Sequence, residues 1–581
     1  SAFVVEQPQG EGIGIAVEIG RTTQRKISAA QVCAEIDRVV ADVCQQTPVW
    51  IALLNPGELP KTSSGKLQRS ACRQMLERAE LDCFHMRRND RPVVRQGRWL
   101  ASDHERAVAA VWAEVLGQDE VFADDSFFAL GGNSIAAAQI VGRLREQLGV
   151  DLTLASVFDN PGLADFAERV AEAAGGDARP VLAAAVSDEL VPSYAQERMW
   201  FAWQLDPQSS VYNVPLALHL RGPLDVEALR AAFAALQQRH EVLRTTFTPQ
   251  GEGARLVRHA ALRVDFAVED LLGLLPSQRL DQARQRAAAQ ARQPFDLSSG
   301  PMQRVHLLRL DEREHVLLLT THHIAVDGWS MRNLVDELEV LYTAQLTGIE
   351  PVLPALVVGY GDFARWQRAL LAGPEHARQL DYWRQALAGE QSWQELHGQR
   401  PRHKGALAVC EQFAFSGVQT SALRSFATAR GVTPFMLLLG AFAITLREHS
   451  GQSRIRLGSD IANRSHPAAE PLVGFFINQL VLQVDLDLAA SSDALLEQCR
   501  RVVLGAAQHQ DLPFEQLVEA LRPPRRAGRS PFFSIKLNYQ EGEPPLPRLC
   551  DVRVEPFEAS QQAAELDLIL GFYSSASRLE T

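Results

Sequence analysis

The chain has few cysteines and no pattern among them. Its seven, Cys33, Cys44, Cys72, Cys83, Cys410, Cys499 and Cys550, form no CxxC pair and no regular spacing across 581 residues. A disulfide framework is therefore excluded, and reduced thiols of a cytoplasmic protein are expected. Positive charge is also short. Lys and Arg number 58 against 70 Asp and Glu, a net charge of −12, and clustered cations for nucleic acid are missing. No stretch of about 18 uncharged apolar residues occurs, so no membrane span is expected. Nor does the N-terminus lead from a basic stretch into an apolar core, so no secretion signal is expected. No short-period repeat is present. What the sequence does have is 46% apolar and 22% charged residues, enough for several packed cores and roughly four domains at about 150 residues each.

Patterning divides the chain. "SAFVVEQ" and "GIGIAVEIGR" alternate as a hairpin would. Ser28 and Gln31 then form a capping box ahead of the stripe Val32, Ile36, Val39, Val40 and Val43, and "VWIALLN" reads as a strand. This segment, 1–78, is too small for a core of its own and is expected to be a partial α+β lid. Residues 79–98 are charged and weakly periodic, as a linker would be. A small helical bundle is expected over 99–174, its first helix capped by Ser102 with Glu105 and closed by Gly117. Its second helix is expected from Ser134 to Gly149. "ASVFDNPG" reads as a turn before a last helix with Leu163, Phe166 and Val170. Residues 175–189 are a second linker, rich in Ala, Gly and Pro. From Leu190 strands such as "HEVLRTTF" and "HVLLLTTHH" alternate with helices, an α/β region expected to split into lobes at 190–367 and 368–581.

Three stretches could carry chemistry. In "DDSFFALGGNSIAAAQ", Ser134 stands between a glycine pair and a helix. A hydrolase elbow needs G-x-S-x-G after a strand, whereas this chain has Gly132, Ser134 and Ala136 with no strand before them. Read plainly, Ser134 is a helix N-cap. In "TTHHIAVDGWS", His322 and His323 precede Asp327 and Gly328. Adjacent strand residues point to opposite faces, which argues against a shared metal ion. No metal is expected. In "LPKTSSGKLQR", Gly65 and Lys66 lack the phosphate-loop spacing, so Lys66 alone reads as a solvated loop lysine.

Family resemblance adds to each stretch. "DDSFFALGGNSI" resembles the attachment signature of peptidyl and acyl carrier proteins. It implies 4′-phosphopantetheine esterified to Ser134, with Gly131, Gly132 and Asn133 forming the site and a phosphopantetheinyl transferase as partner. The glycines are expected to leave the hydroxyl unshielded, and a phosphodiester suits a helix N-terminus. "HHIAVDG" resembles the H-H-x-x-x-D-G signature of nonribosomal peptide synthetase condensation domains. These have a two-lobed, chloramphenicol acetyltransferase-like fold with a tunnel between the lobes. The resemblance implies His323 as general base or positioning group, His322 as structural, and Asp327 holding the loop with Arg464 of "GSDIANR" as its cation. "SYAQERMWFAWQL", "YGDFARWQ", "VGFFINQL", "HQDLPFEQLVEAL" and "SPFFSIKLNYQ" resemble further condensation signatures in the right order, with Ile477 and Gln479 departing mildly. "LPKTSSGKLQR" resembles the last signature of adenylate-forming enzymes, fatty acyl-AMP ligases more than amino-acid adenylating domains, and implies that Lys66 contacts an acyl adenylate. ATP and Mg²⁺ would serve only the full adenylating domain, whose large subdomain this chain lacks. "LDLILGFYSSASRLET" resembles a late condensation signature and leaves the second lobe C-terminally incomplete.

The expectation is thus a multidomain α/β protein: partial lid, carrier bundle and condensation lobes. An acyl thioester, possibly fatty, on Ser134 and an aminoacyl thioester on a downstream carrier would be its substrates, joined as an amide in lipopeptide or siderophore synthesis. Three rivals remain at this point. Epimerisation domains share the histidine signature but continue D-G-x-S-W, where this chain has Asp327, Gly328, Trp329, Ser330 and Met331. A serine acyl hydrolase would use Ser134 as nucleophile, and a silent scaffold would use neither.

Overall fold

The computed structural model describes residues 97–581 apart from 174–179, 186–188, 252, 261, 390–408, 487–490, 525–529, 543–545, 558–565, 575–578 and 581. Of the first 96 residues it describes four strands and scattered positions around them. Ser1–Arg98 and Trp99–Thr581 are two compact units.

In the first unit, β1 (Ala2–Gln7) and β2 (Gly10–Glu18) form an antiparallel hairpin. β2 runs parallel to β3 (Trp50–Leu54), and β3 antiparallel to β4 (Cys83–Arg88), giving the order β1-β2-β3-β4. β3 is apolar throughout because both its faces are covered. Ala52 and Leu54 pack with Ala16, Leu59 and Cys72, while Ile51 and Leu53 pack with Cys33. β4 corrects the linker expected over 79–98. "CFHMRR" carries no apolar alternation because β4 is an edge strand, where charge is tolerated and useful.

The second unit begins with four helices: α1 (Asp103–Leu116), α2 (Ser134–Leu148), α3 (Leu154–Asp159) and α4 (Leu163–Glu172). Ser102 and Glu105 form the capping box on α1, and Gly117 and Gly149 end α1 and α2 in the left-handed conformation. Val108, Trp112, Phe127, Ile140, Leu144 and Phe166 are buried at the centre. The stretch read as a turn, "ASVFDNPG", contains most of α3. Six residues are too few to show a period, and the signal that mattered was the Thr153–Ser156 capping box.

The remainder builds two sheets. Its first half holds α5 (Tyr194–Leu205), β5 (Asn213–Arg221), α6 (Val226–Arg239), β6 (Thr245–Gln250), β7 (Gly253–Arg258) and β8 (Asp265–Asp270). It continues with α7 (Pro276–Arg292), β9 (Gln303–Asp311), β10 (Glu314–His322), α8 (Gly328–Thr347) and α9 (Tyr360–Leu371). The second half holds α10 (Pro374–Ala386), β11 (Ala414–Phe415), α11 (Gly417–Ala429), α12 (Pro434–Ser450), β12 (Arg454–Ile461) and β13 (Asn478–Asp485). Then follow α13 (Ser492–Gln508), α14 (Phe514–Leu521), β14 (Ile535–Glu541), β15 (Arg553–Pro556), β16 (Leu568–Ser574) and β17 (Leu579–Glu580). "HEVLRTTF" is a strand only from Thr245, its first part being a short 3₁₀ turn.

One sheet runs β15-β5-β10-β9-β8 and the other β11-β17-β16-β14-β12-β13. β10, inside the first sheet, is buried from His315 to His322, which is why residues 316–319 run apolar without alternation and its Thr and His residues are buried as well. β15 corrects the division at 367/368. It comes from the second half but pairs antiparallel with β5 of the first, Arg553 opposite Arg221, so the second half lends a strand to the first sheet. Nothing local in four residues says which sheet they join. Among the described residues no single helix is long and apolar enough to cross a membrane.

Candidate active site

β10 ends at His322, and the chain turns before α8 begins at Gly328. His323 is therefore on the turn. Its backbone N–H donates to the Tyr212 carbonyl at 2.8 Å. Its ring Nδ1 lies 2.7 Å from the Val326 carbonyl, an atom that only accepts, so Nδ1 carries the proton and Nε2 presents a lone pair. The Phe475 ring packs against it with centroids 4.7 Å apart, and the Arg198 guanidinium lies 5.5 Å from the centre of Phe475. Arg198 and Tyr212 line a cleft of about 940 Å³ that also takes Gln479, Phe514, Phe533 and Lys536 from the second half. The opening is walled by both halves, and the histidine turn is tied to its wall through Tyr212 rather than lining it.

His322 is the more deeply buried of the two. It is buried against Tyr212 and Phe295, and its Nδ1 accepts from the Ile324 N–H at 3.1 Å. Burial, with smaller pushes from His323 and Arg304, lowers its pKa to about 3. Below the ordinary value of 6.5 the unfolded ring takes a proton that the folded one refuses. His322 therefore lowers stability as pH falls from about 6.5 toward 3, by up to ~1.4 kcal/mol per pH unit. His322→Asn is expected to flatten the fall in denaturant midpoint between pH 7 and 5. An unchanged slope would assign it to other groups.

Asp327 caps α8. Its Oδ1 accepts from the Ser330 N–H and Oγ, both at 2.7 Å, and Oδ2 accepts from the Phe476 N–H at 3.0 Å. Arg464, expected opposite it, donates Nη2 to Oδ1 at 3.3 Å, and both side chains are buried. Arg464 also donates to the Leu472 carbonyl at 2.7 Å and stacks over Phe476 at 3.8 Å. Gly328 opens α8 in the open, where a Cβ would meet only Gln540 Nε2 at 3.9 Å.

Three other stretches meet beside this turn. Tyr360 Oη lies 2.6 Å from the Phe475 carbonyl, to which it donates, and 2.8 Å from Ser193 Oγ. Burial pushes this phenol well above its ordinary range, so the proton stays. Gly474 is required here, since a Cβ would stand 2.0 Å from the Tyr360 ring. Sequence reasoning placed these strings in order but missed Ser330, Tyr360 and Phe475 as parts of one network. Only their quoted motifs hinted at it.

At the helical bundle, Asn133 and not Ser134 is the N-cap of α2, its side chain accepting from the Ala136 N–H at 2.9 Å. Ser134 is the first helical residue, and its hydroxyl has no capping task. Gly131 has φ +88°, and a Cβ on Gly132 would stand 2.5 Å from the Phe127 ring, so both glycines are sterically demanded. The expectation of an unshielded hydroxyl needs correction: Ser134 is half-buried, with Oγ covered and without a hydrogen-bond partner. An orphaned hydroxyl at a helix N-terminus fits a phosphodiester, because turning it outward breaks no bond. It does not fit a hydrolase nucleophile, which needs a base within reach. Lys66 lies outside the described residues.

A family model described as the condensation domain matches residues 186–580, and one described as the phosphopantetheine attachment site matches 106–170. The chain belongs to the condensation-domain family. Its carrier domain precedes the condensation domain, the arrangement of a nonribosomal peptide synthetase. A linear gramicidin synthase polypeptide of Brevibacillus parabrevis is 37% identical over 80% of this chain and 6% of that protein. Malpinin synthetase of Mortierella alpina is 34% identical over 99% of this chain and 7% of that protein. The chain thus spans a small fraction of the length of these relatives. Among solved structures, the X-domain from teicoplanin biosynthesis superposes with a TM-score of 0.61 at 27% identity, covering 69% of this chain and 90% of that one. The starter condensation domain of rhizomide synthetase shares the fold, with a TM-score of 0.57 at 21% identity over 68% of this chain and 89% of that one.

Proposed function

We propose that Ser134 carries 4′-phosphopantetheine and that the condensation domain joins the acyl group so held to the amine of an aminoacyl group on a downstream carrier. The observation that supports this most is the His323 ring, locked by Val326 into the tautomer whose Nε2 can take a proton, on a turn whose backbone is bonded to Tyr212 of the cleft wall. When bound, the prosthetic group's thiol holds the acyl chain as a thioester and brings it into reach. The chain's own residues do the rest. The cleft walls hold two reactants together, the larger share of any acceleration. His323 Nε2 accepts the proton that the attacking amine loses as the C–N bond forms, and that proton passes to the sulfur that leaves as the C–S bond breaks. Asp327 and Arg464 hold the turn, and His322 stays neutral behind it.

The carrier precedes the condensation domain, which supports the donor role for it. A fatty acyl donor, and hence lipopeptide or siderophore synthesis, rests on "LPKTSSGKLQR" with Lys66. In that reading ATP and Mg²⁺ would serve a full adenylating domain, and the working compartment is the cytoplasm. A phosphopantetheinyl transferase is the other partner implied.

Incubating the chain with a phosphopantetheinyl transferase and coenzyme A is expected to add one phosphopantetheine mass at Ser134 and none to Ser134→Ala. Labelling of Ser134 by a fluorophosphonate, without that gain, would overturn the carrier reading in favour of a hydrolase.

A further inference from the structure

The carrier and condensation domains meet along a charged seam. Arg143 of α2 donates Nη1 and Nη2 to Glu470 Oε1 and Oε2 at 2.8 and 2.9 Å, and the two side chains are only 14% and 16% exposed. The guanidinium is held above its ordinary pKa by Glu470 although burial, the largest influence, pulls it down. One residue earlier, a Cβ on Gly142 would stand 3.0 Å from the Ser465 carbonyl. At the far end Arg500 of α13 donates to Asp159 of α3 at 2.5 Å. The apolar cores of the carrier and the second lobe run together as one buried cluster.

Glu470 does more than face the carrier. Its main-chain carbonyl accepts from Trp329 Nε1 at 3.0 Å, Asn333 Nδ2 at 2.9 Å and Arg464 Nη1 at 3.3 Å. Trp329 and Asn333 belong to the start of α8, which Asp327 caps, and Arg464 is the cation paired with Asp327. A single residue therefore grips the carrier with its side chain and, with its backbone, the start of the helix that Asp327 caps and the arginine paired with Asp327.

We propose that Glu470 is a positioning residue through which seating of the upstream carrier is coupled to the Asp327 turn that presents His323. The proposal rests on the function proposed above in giving that turn its role. A bidentate, largely buried Arg–carboxylate pair fixes orientation as well as proximity. Its loss leaves Glu470 free to move, and with it the carbonyl that Trp329, Asn333 and Arg464 share.

The test uses the full chain with two readouts: amide hydrogen exchange over residues 465–474, and single-turnover amide formation from the loaded carrier. Arg143→Glu is expected to speed exchange there and slow transfer about tenfold. Glu470→Arg is expected to do the same, and the double charge swap to restore both. Arg143→Gln, which deletes the charge without reversing it, guards against misfolding and is expected to give a smaller loss in both. Exchange requires no chemistry. A wild-type chain that makes no amide, yet shows swap-restored protection, would sink the proposed function and keep the docking contact. Wild-type behaviour of Arg143→Glu, or a swap that restores exchange without transfer, would overturn the coupling.

Discussion

Replacing His323 by alanine is expected to slow amide formation by roughly 10²–10⁴-fold while Ser134 is loaded at the wild-type rate. The ring is the only part of this residue placed for proton transfer. Its backbone N–H bond to Tyr212 survives the substitution, and so do the bonds at Asp327. What is lost is the Nδ1–H bond to Val326 and the packing on Phe475, both local to a half-buried turn. Folding is therefore expected to hold, with a midpoint close to that of the parent. Carrier loading depends on Ser134, more than 180 residues away in sequence and on a helix of the carrier bundle. The measurement is single-turnover transfer to an aminoacyl carrier, followed by intact mass of both carriers. Transfer at the parent rate would remove His323 from the chemistry, leaving proximity within the cleft as the whole of the acceleration.

The helical bundle is legible because its information is local. Ser102 finds Glu105 three residues on, and the stripe of Val108, Val111 and Trp112 follows from a 3.6-residue period. The Asp327 cap is local too, reaching only to Ser330. Its contact with Arg464 spans 137 residues, and no spacing rule predicts it; only the resemblance did. Where neither periodicity nor resemblance helps, the reading fails for identifiable reasons. β4 is a polar edge, α3 is shorter than two full turns, and β15 contributes a strand to the opposite sheet. Ser134 departs from expectation in a subtler way. The sequence suggests that glycines bare the hydroxyl, but their actual work is to satisfy a left-handed turn and make room for Phe127, and Asn133 takes the cap. The Arg143–Glu470 contact lies 327 residues apart and has no sequence signal at all.

Asp327→Ala is expected to cost roughly 3–5 kcal/mol, because it removes one partner of a buried ion pair and strands the other. Arg464 would keep its bond to the Leu472 carbonyl and its place over Phe476, so it would not leave; it would stay as an uncompensated buried cation. Burial already pulls that guanidinium below its ordinary pKa, with Asp327 the main opposing influence. The Phe476 N–H and the Ser330 N–H would lose their acceptor as well, each a buried donor left unmet. Asp327→Asn separates these terms. It can still accept from Ser330 as a cap but cannot offset the charge, so its midpoint in denaturant is expected between those of the parent and the alanine variant. The two predictions differ in kind. His323→Ala should lose transfer and keep its midpoint. Asp327→Ala should lose both, since Val326, whose carbonyl fixes the His323 tautomer, is the residue beside it. An Asp327→Ala chain unfolding at the parent midpoint would mean that the Arg464 pair is offset by its own desolvation. The order of the turn would then have to come from the Tyr360, Ser193 and Phe475 contacts instead.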